Sequence, residues 1–219
     1  MIGKIAIPLL VLLALTAAAI WGATAWLEGQ ANKSGFTKEQ ALRRIVVGND
    51  ILEIPANYIR RPEQRDAVTA ETLDLAMLWP AGTGYSADNA DRFLEDSATS
   101  DLIFMTVARR EMELDMTQRL DSVYQALFVG EPHEAGSDLL IRQIQRGSGY
   151  DDEVIVVSQD KSWVARCQIE LPGKAATCLR DIHAGQTLVV RYRFANHLLS
   201  NWRDIEALVR ARLTTFLKP

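Results

Sequence analysis

The chain has 219 residues, with 28 Asp and Glu against 24 Lys and Arg and a formal net charge of −4 at pH 7. That balance argues against a nucleic-acid partner, which selects a basic face. Hydrophobic residues make up 48% of the chain, too many for disorder, and 13 Gly and 7 Pro exclude collagen-like or low-complexity sequence.

The chain opens with a charge-free run, Ile5 to Leu27, preceded by Lys4. As a helix this run reaches roughly 34 Å, more than a hydrocarbon core of about 30 Å. Trp21 and Trp26 lie near its distal end, where indole rings settle at the headgroup level. The run therefore predicts a transmembrane anchor over 5–27 behind a cytoplasmic tail of 1–4. The alternative, a cleaved signal peptide ending at Ala23-Thr24-Ala25, suits the small-x-small pattern, but the apolar run is longer than such leaders carry. Lys33, Lys38, Arg43 and Arg44 follow the span, and a bare count would keep the C-terminal side in the cytoplasm. A three-residue positive lead and the ease with which long domains translocate point the other way. Residues 28–40 are small and polar and read as a tether, leaving one domain over 41–219.

Within the domain, "TKEQALRRI" predicts a short helix capped by Thr37. "RRIVV" and "ILEIP" around "GND" predict a hairpin. "NYIRRPEQR" is a basic loop in which Tyr58, Arg60, Arg61 and Arg65 form the densest cationic cluster, a candidate interaction surface for an anionic partner. "TLDLAMLWP" is a strand, and 81–101 a long loop of the kind that carries function. "DLIFMTVARREMELDM" (101–116) predicts one strand, with Glu111, Glu113 and Asp115 on a shared acidic face. Residues 115–130 then change to helical spacing. "LLIRQIQ" with "EVIVVSQ", and "KSWVARCQIEL" with "TCLRDI", predict two more hairpins, followed by a strand in "QTLVVRYRF". Leu198, Trp202, Ile205, Val209, Leu213 and Phe216 form one stripe of a C-terminal amphipathic helix, whose Arg203, Glu206 and Arg210 face elsewhere. Consecutive hairpins without a β-α-β alternation specify an α+β fold, a mainly antiparallel sheet with that helix packed on it.

Cys167 and Cys178, the only cysteines, flank the "PGKAA" turn. If their strands pair, the two face one another and form a disulfide, which belongs in an oxidising compartment. The alternatives are two reduced buried thiols, or a three-ligand metal site with His183, which lacks the close ligand pairs of zinc sites. No metal, cofactor or phosphate-loop motif is apparent. "EPHEAGSD" holds His133, Glu134, Ser137 and Asp138, the residue types of a nucleophile-base set, without a G-x-S-x-G elbow; a polar turn between helix and strand is the plainer reading. His197 stands at a helix start.

"LEIPANYIRRPEQR" and "LDLAMLWP", with the anchor, tether and small disulfide-bearing domain, resemble membrane-anchored envelope proteins of Gram-negative bacteria. The likeness is architectural and carries over no catalytic residue. It implies a single-pass inner-membrane protein with its C-terminal domain in the periplasm. The expected function is a non-catalytic binding module, accessory or immunity-type, that contacts an envelope protein. The alternative is an envelope hydrolase using His133 or the Glu111/Glu113/Asp115 face.

Overall fold

A computed structural model describes residues 14–23, 35–94, 99–169 and 175–218. Residues 14–23 (α1) are helical and exposed. The predicted 5–27 anchor falls largely outside the described residues, as do the 1–4 tail and residues 28–34 of the tether. Among the described residues no helix is long and apolar enough to cross a membrane.

Two antiparallel sheets and one long helix build the domain. The strands are β1 (Leu42–Val47), β2 (Asp50–Pro55), β3 (Thr72–Leu78), β4 (Leu102–Arg109), β5 (Phe128–Gly136), β6 (Leu139–Ile144), β7 (Glu153–Ser158), β8 (Val164–Gln168), β9 (Thr177–Ala184), β10 (Leu188–Ala195) and β11 (Leu217–Lys218). The larger sheet runs β3-β4-β10-β9-β8-β7-β6-β5 and the smaller β1-β2-β11. A helical turn, α2 (Pro62–Arg65), precedes β3, and α3 (Trp202–Phe216) closes the chain.

The β1–β2 hairpin forms as expected, with Val47 opposite Asp50 and Gly48 at φ 59° in the turn. A Cβ at Gly48 would come 2.7 Å from Thr187 Oγ1, so the position also needs glycine for space. Asp50 ties this hairpin to the β9–β10 turn. Its buried carboxylate accepts hydrogen bonds from the amides of Gln186 (2.7 Å) and Thr187 (2.8 Å) and from Thr187 Oγ1 (2.7 Å).

The main core lies between one face of the large sheet and a layer made of α3 and the small sheet. Trp202, Ile205, Val209, Leu213 and Phe216, the predicted stripe, are all buried there with Ile45, Leu52, Ile103, Val190 and Phe194. Glu206 does not face elsewhere. It turns inward and holds the guanidinium of Arg180 on β9 through bonds of 2.8 and 3.2 Å, while Tyr192 on β10 donates its hydroxyl to the same carboxylate. Arg180 also donates to Thr117 Oγ1 and to the Val164 carbonyl, each at 2.8 Å. Burial alone would lower the pKa of Arg180, but the Glu206 hydrogen bonds and charge more than offset this and raise it. Burial likewise pushes Glu206 up, and the Arg180 hydrogen bond and charge win, leaving it lowered.

Four local expectations change. "TKEQALRRI" is not a helix: Thr37 Oγ1 accepts the Glu39 amide at 3.3 Å in a turn, and the β-branched run enters β1 at Leu42. The predicted 101–116 strand stops at Arg109, so Glu111, Glu113 and Asp115 share no strand face; within β4 Ile103, Met105 and Val107 are buried and Phe104 and Thr106 half-buried, and the alternation breaks at the ends, where Leu102 and Ala108 are buried as well. The 115–130 helix is two short turns, a π-type one at Leu120–Tyr124 and a 3₁₀ one at Gln125–Leu127. "EPHEAG" belongs to an edge strand, β5, rather than to a turn. The β5–β6 reversal is Ser137–Asp138, both at positive φ (51° and 57°), as a type I′ turn requires. Outside contacts hold it there: the Ser137 carbonyl accepts from Trp202 Nε1 at 3.1 Å, and Asp138 pairs with Arg203 at 3.0 Å.

Cys167 and Cys178 sit directly opposite one another across β8 and β9 and are joined by a disulfide, Cα to Cα 4.0 Å. The intervening turn lies largely outside the described residues. Both cysteines face the α3 side, whereas His183, of opposite parity on β9, faces away, which excludes the three-ligand arrangement.

A candidate partner-binding groove on the uncovered sheet face

Among the described residues, the face of the large sheet opposite α3 is covered at its two ends. Over β3 and β4 the 81–94 segment lays down Tyr85, Ala90 and Phe93, joined by Phe36; the Phe36 and Phe93 rings meet edge-on at 4.8 Å. Over β7 and β8 the 116–128 segment lays down Met116, Leu120, Tyr124 and Phe128. Between these covers Phe104 and Thr106 on β4, Val189, Arg191 and Arg193 on β10, and Leu179 and His183 on β9 are half-buried or exposed.

The pleat places them in rows. Asp74, Thr106, Arg191 and Asp181 lie side by side across β3-β4-β10-β9, and beside them Ala76, Phe104, Arg193 and Leu179 form a second row. A third row is Thr72, Ala108, Val189 and His183. Over this floor lies a groove of about 980 Å³, walled by Met112, Leu114, Val123 and Tyr150 and rimmed by Glu71 and Glu111. A smaller depression of about 220 Å³, around Arg60, Phe104 and Arg193, shares Leu179 and Arg191 with it.

The charges of the floor fall into two classes. Asp181 is used up: it pairs with Arg119 at 2.6 Å and accepts the Met116 amide at 2.7 Å, both inside the cover. Desolvation alone would lower the pKa of Arg119, but its bond to Asp181 raises it. Burial raises the hydroxyl pKa of the neighbouring Tyr124, and the hydrogen bond from Arg119 only partly opposes this. Asp74 is also used up, by an ion pair with Arg61 and by Thr106 Oγ1, which donates at 2.7 Å. Arg191 and Arg193 are exposed and have no ion pair among the described residues.

The residues expected to form a cationic cluster separate. Tyr58 is buried; its hydroxyl donates to the Gly82 carbonyl at 2.9 Å and its ring meets Phe216 edge-on at 5.2 Å. Arg65 turns back onto the Ile59 carbonyl (3.3 and 3.1 Å) and the Gly35 carbonyl, and burial lowers its pKa. Arg61 is bound to Asp74. Arg60 alone reaches the groove, with its guanidinium over the Phe104 ring at 5.0 Å. Arg191, Arg193 and Phe104 were not singled out from the sequence. Their signal was present in "VVRYRF", where arginine alternates with Val190, Tyr192 and Phe194: a strand with one apolar and one cationic face.

The hydrolase residues are dispersed. His133 stands exposed on β5, and among the described residues no hydrogen bond joins it to Ser137 or Asp138. Glu111 is on the groove rim, Glu113 is exposed, and Asp115 accepts the Gln118 amide at 3.0 Å as a turn cap. His183 lines the groove with Nδ1 3.5 Å from Arg110, and His197 meets Asp101 at 3.3 Å.

The fold has a counterpart among solved structures. Smlt3025, an immunity protein of the Stenotrophomonas maltophilia type IV secretion system, superposes with a TM-score of 0.58 over 82% of this chain and 94% of its own. The two are 15% identical, so the likeness is one of fold. No protein-family model matches the chain, and no curated protein matches it.

Proposed function

We propose that this protein is a non-catalytic, immunity-type binding module of the cell envelope, held at the inner membrane by its first helix with its domain in the periplasm. The carrying observation is the open, arginine-bearing face of a sheet whose fold is shared with a secretion-system immunity protein. An immunity protein acts by occupying its partner, which calls for a large presented surface and no reacting groups. The groove supplies such a surface, and its Arg, Met and Tyr lining has the composition of protein interfaces. The charge-free run Ile5–Leu27 supports the anchor, and the Cys167–Cys178 bond supports an oxidising compartment.

Two measurements test this reading. A C-terminal alkaline phosphatase fusion is active, and the matching green fluorescent protein fusion dark, if the domain is exported; the reverse result defeats the placement. Deleting the gene in the source organism makes cells sensitive to a growth inhibitor delivered by their unmodified siblings, and restoring the gene protects them. Unaltered survival of the deletion strain in that co-culture defeats the immunity assignment.

A further inference from the structure

Two guanidinium groups converge on one aromatic ring in the uncovered face, and a third stands beside them. The Cζ atoms of Arg60 and Arg193 lie 5.0 and 5.7 Å from the Phe104 centroid, a cation–π arrangement that holds both groups in place while leaving their N–H donors free. Arg191 stands two residues before Arg193 on β10, hence on the same face about 7 Å away. The two carboxylates of the adjoining row are committed elsewhere, Asp74 to Arg61 and Asp181 to Arg119. Three cations thus share one surface with no ion pair among the described residues, in a protein whose net charge is −4. Such a cluster repels itself in the free protein, and its field concentrates an anion.

The larger groove alongside adds an apolar wall. Met112 and Leu114 are 58% and 40% exposed there, although neighbouring residues of the same cover, Met116 and Leu120, are buried. We infer that this face docks an acidic segment of a protein partner, its carboxylates on Arg60, Arg191 and Arg193 and its apolar side chains on Met112 and Leu114. The inference rests on the binding-module reading and names the chemistry of the partner. A nucleic acid is disfavoured by Glu71 and Glu111 on the rim and by the overall acidity. A bilayer is disfavoured by shape, because the floor is recessed between two covers and admits only a protruding segment.

The test uses the full chain in detergent micelles and a fluorescein-labelled peptide of alternating Glu and Leu, followed by anisotropy. The peptide binds saturably and more weakly as salt rises, and its Lys/Leu counterpart does not bind. Arg191→Glu with Arg193→Glu weakens binding about tenfold or more while the melting temperature holds. Failure of the acidic peptide to bind, equal binding to the double variant, or binding of the Lys/Leu peptide overturns the assignment. In source cells, a benzophenone amino acid at position 112 captures a protein from the unmodified face and not from the charge-reversed one, and Lys substitutions of that protein's own carboxylates restore capture by the reversed face. Equal capture by both overturns the surface and leaves the binding-module reading standing. Lipid or nucleic acid in the adduct overturns the proposed partner class, and no adduct from any position on the domain defeats both readings.

Discussion

Replacing Glu206 by leucine removes the carboxylate that pairs with Arg180 in the core. The Arg180 side chain is 3% exposed and that of Glu206 14%, so the pair is effectively out of water. Glu206→Leu leaves a buried guanidinium with two neutral acceptors, Thr117 Oγ1 and the Val164 carbonyl, and deprives the Tyr192 hydroxyl of its acceptor. Breaking one side of a buried pair costs about 3–5 kcal/mol. The second cationic partner of Glu206, Arg210, is half exposed and adds only about 0.3–0.5 kcal/mol. Against a total stability of about 5–15 kcal/mol the change is large, and at about 2–4 °C per kcal/mol it lowers the melting temperature by roughly 6–20 °C. The double variant Arg180→Met with Glu206→Leu recovers part of the loss, since neither charge then remains to be desolvated. The pair also shapes acid stability. The folded-state pKa of Glu206 is lowered, so its contribution is complete above the ordinary value of 4.5 and disappears as the pH falls through the folded value. Urea unfolding of the three proteins at pH 7 and across pH 3–5 measures both effects. A loss below about 1 kcal/mol for the single variant, or a double variant less stable than the single, would refute the reasoning.

Asp50→Ala removes the acceptor of two amides and a hydroxyl at the β9–β10 turn and destabilises by about 3 kcal/mol, while Asp50→Asn, which keeps one acceptor oxygen, costs less; chemical denaturation ranks them. Cys167→Ala with Cys178→Ala opens a loop with a sequence separation of 11 and costs about 3 kcal/mol in the chain-entropy account. Dithiothreitol then lowers the urea midpoint of the unmodified protein and leaves that of the variant unmoved; a reductant-insensitive unmodified protein contradicts this.

Periodicity made most of the fold legible. The α3 stripe, the three predicted hairpins and the strand at β10 all carried alternation or helical spacing that burial then used, and the Cys167–Cys178 register followed from placing a short turn between two strands. What was hidden was hidden by context. β5 has Gly130, Pro132 and two acidic residues and is exposed along nearly its whole length, because an edge strand protects itself with the residues that read as a turn. β4 keeps its alternation only from Ile103 to Val107, and the acidic residues beyond Arg109 continue the pattern in sequence without joining the strand. Glu206 reads as a solvent residue until Arg180, 26 positions away, is placed beneath it. The Arg60–Arg65 cluster was legible as charge and not as geometry: neighbours in sequence point to a carbonyl, a carboxylate and a ring in three separate places.

The arginines on either side of the sheet separate folding from binding. Arg180 on β9 and Arg191 and Arg193 on β10 belong to paired strands, with Arg180 opposite Tyr192 and Arg193 opposite Leu179. Pleating sends Arg180 toward α3 and the other two toward the groove. On the α3 side every donor used is answered by the protein, so the residue belongs to the core. On the groove side Arg193 lies over the face of Phe104, both arginines are exposed, and neither has an ion pair among the described residues, so removing them relieves repulsion as much as it loses packing. Arg191→Ala and Arg193→Ala therefore each change stability by less than about 0.5 kcal/mol, in contrast to the several kcal/mol of the Arg180–Glu206 pair. Thermal melts of the two single variants check this, and a drop comparable with that of Glu206→Leu would place these arginines among the residues that hold the fold, leaving the groove without a reason for its charge.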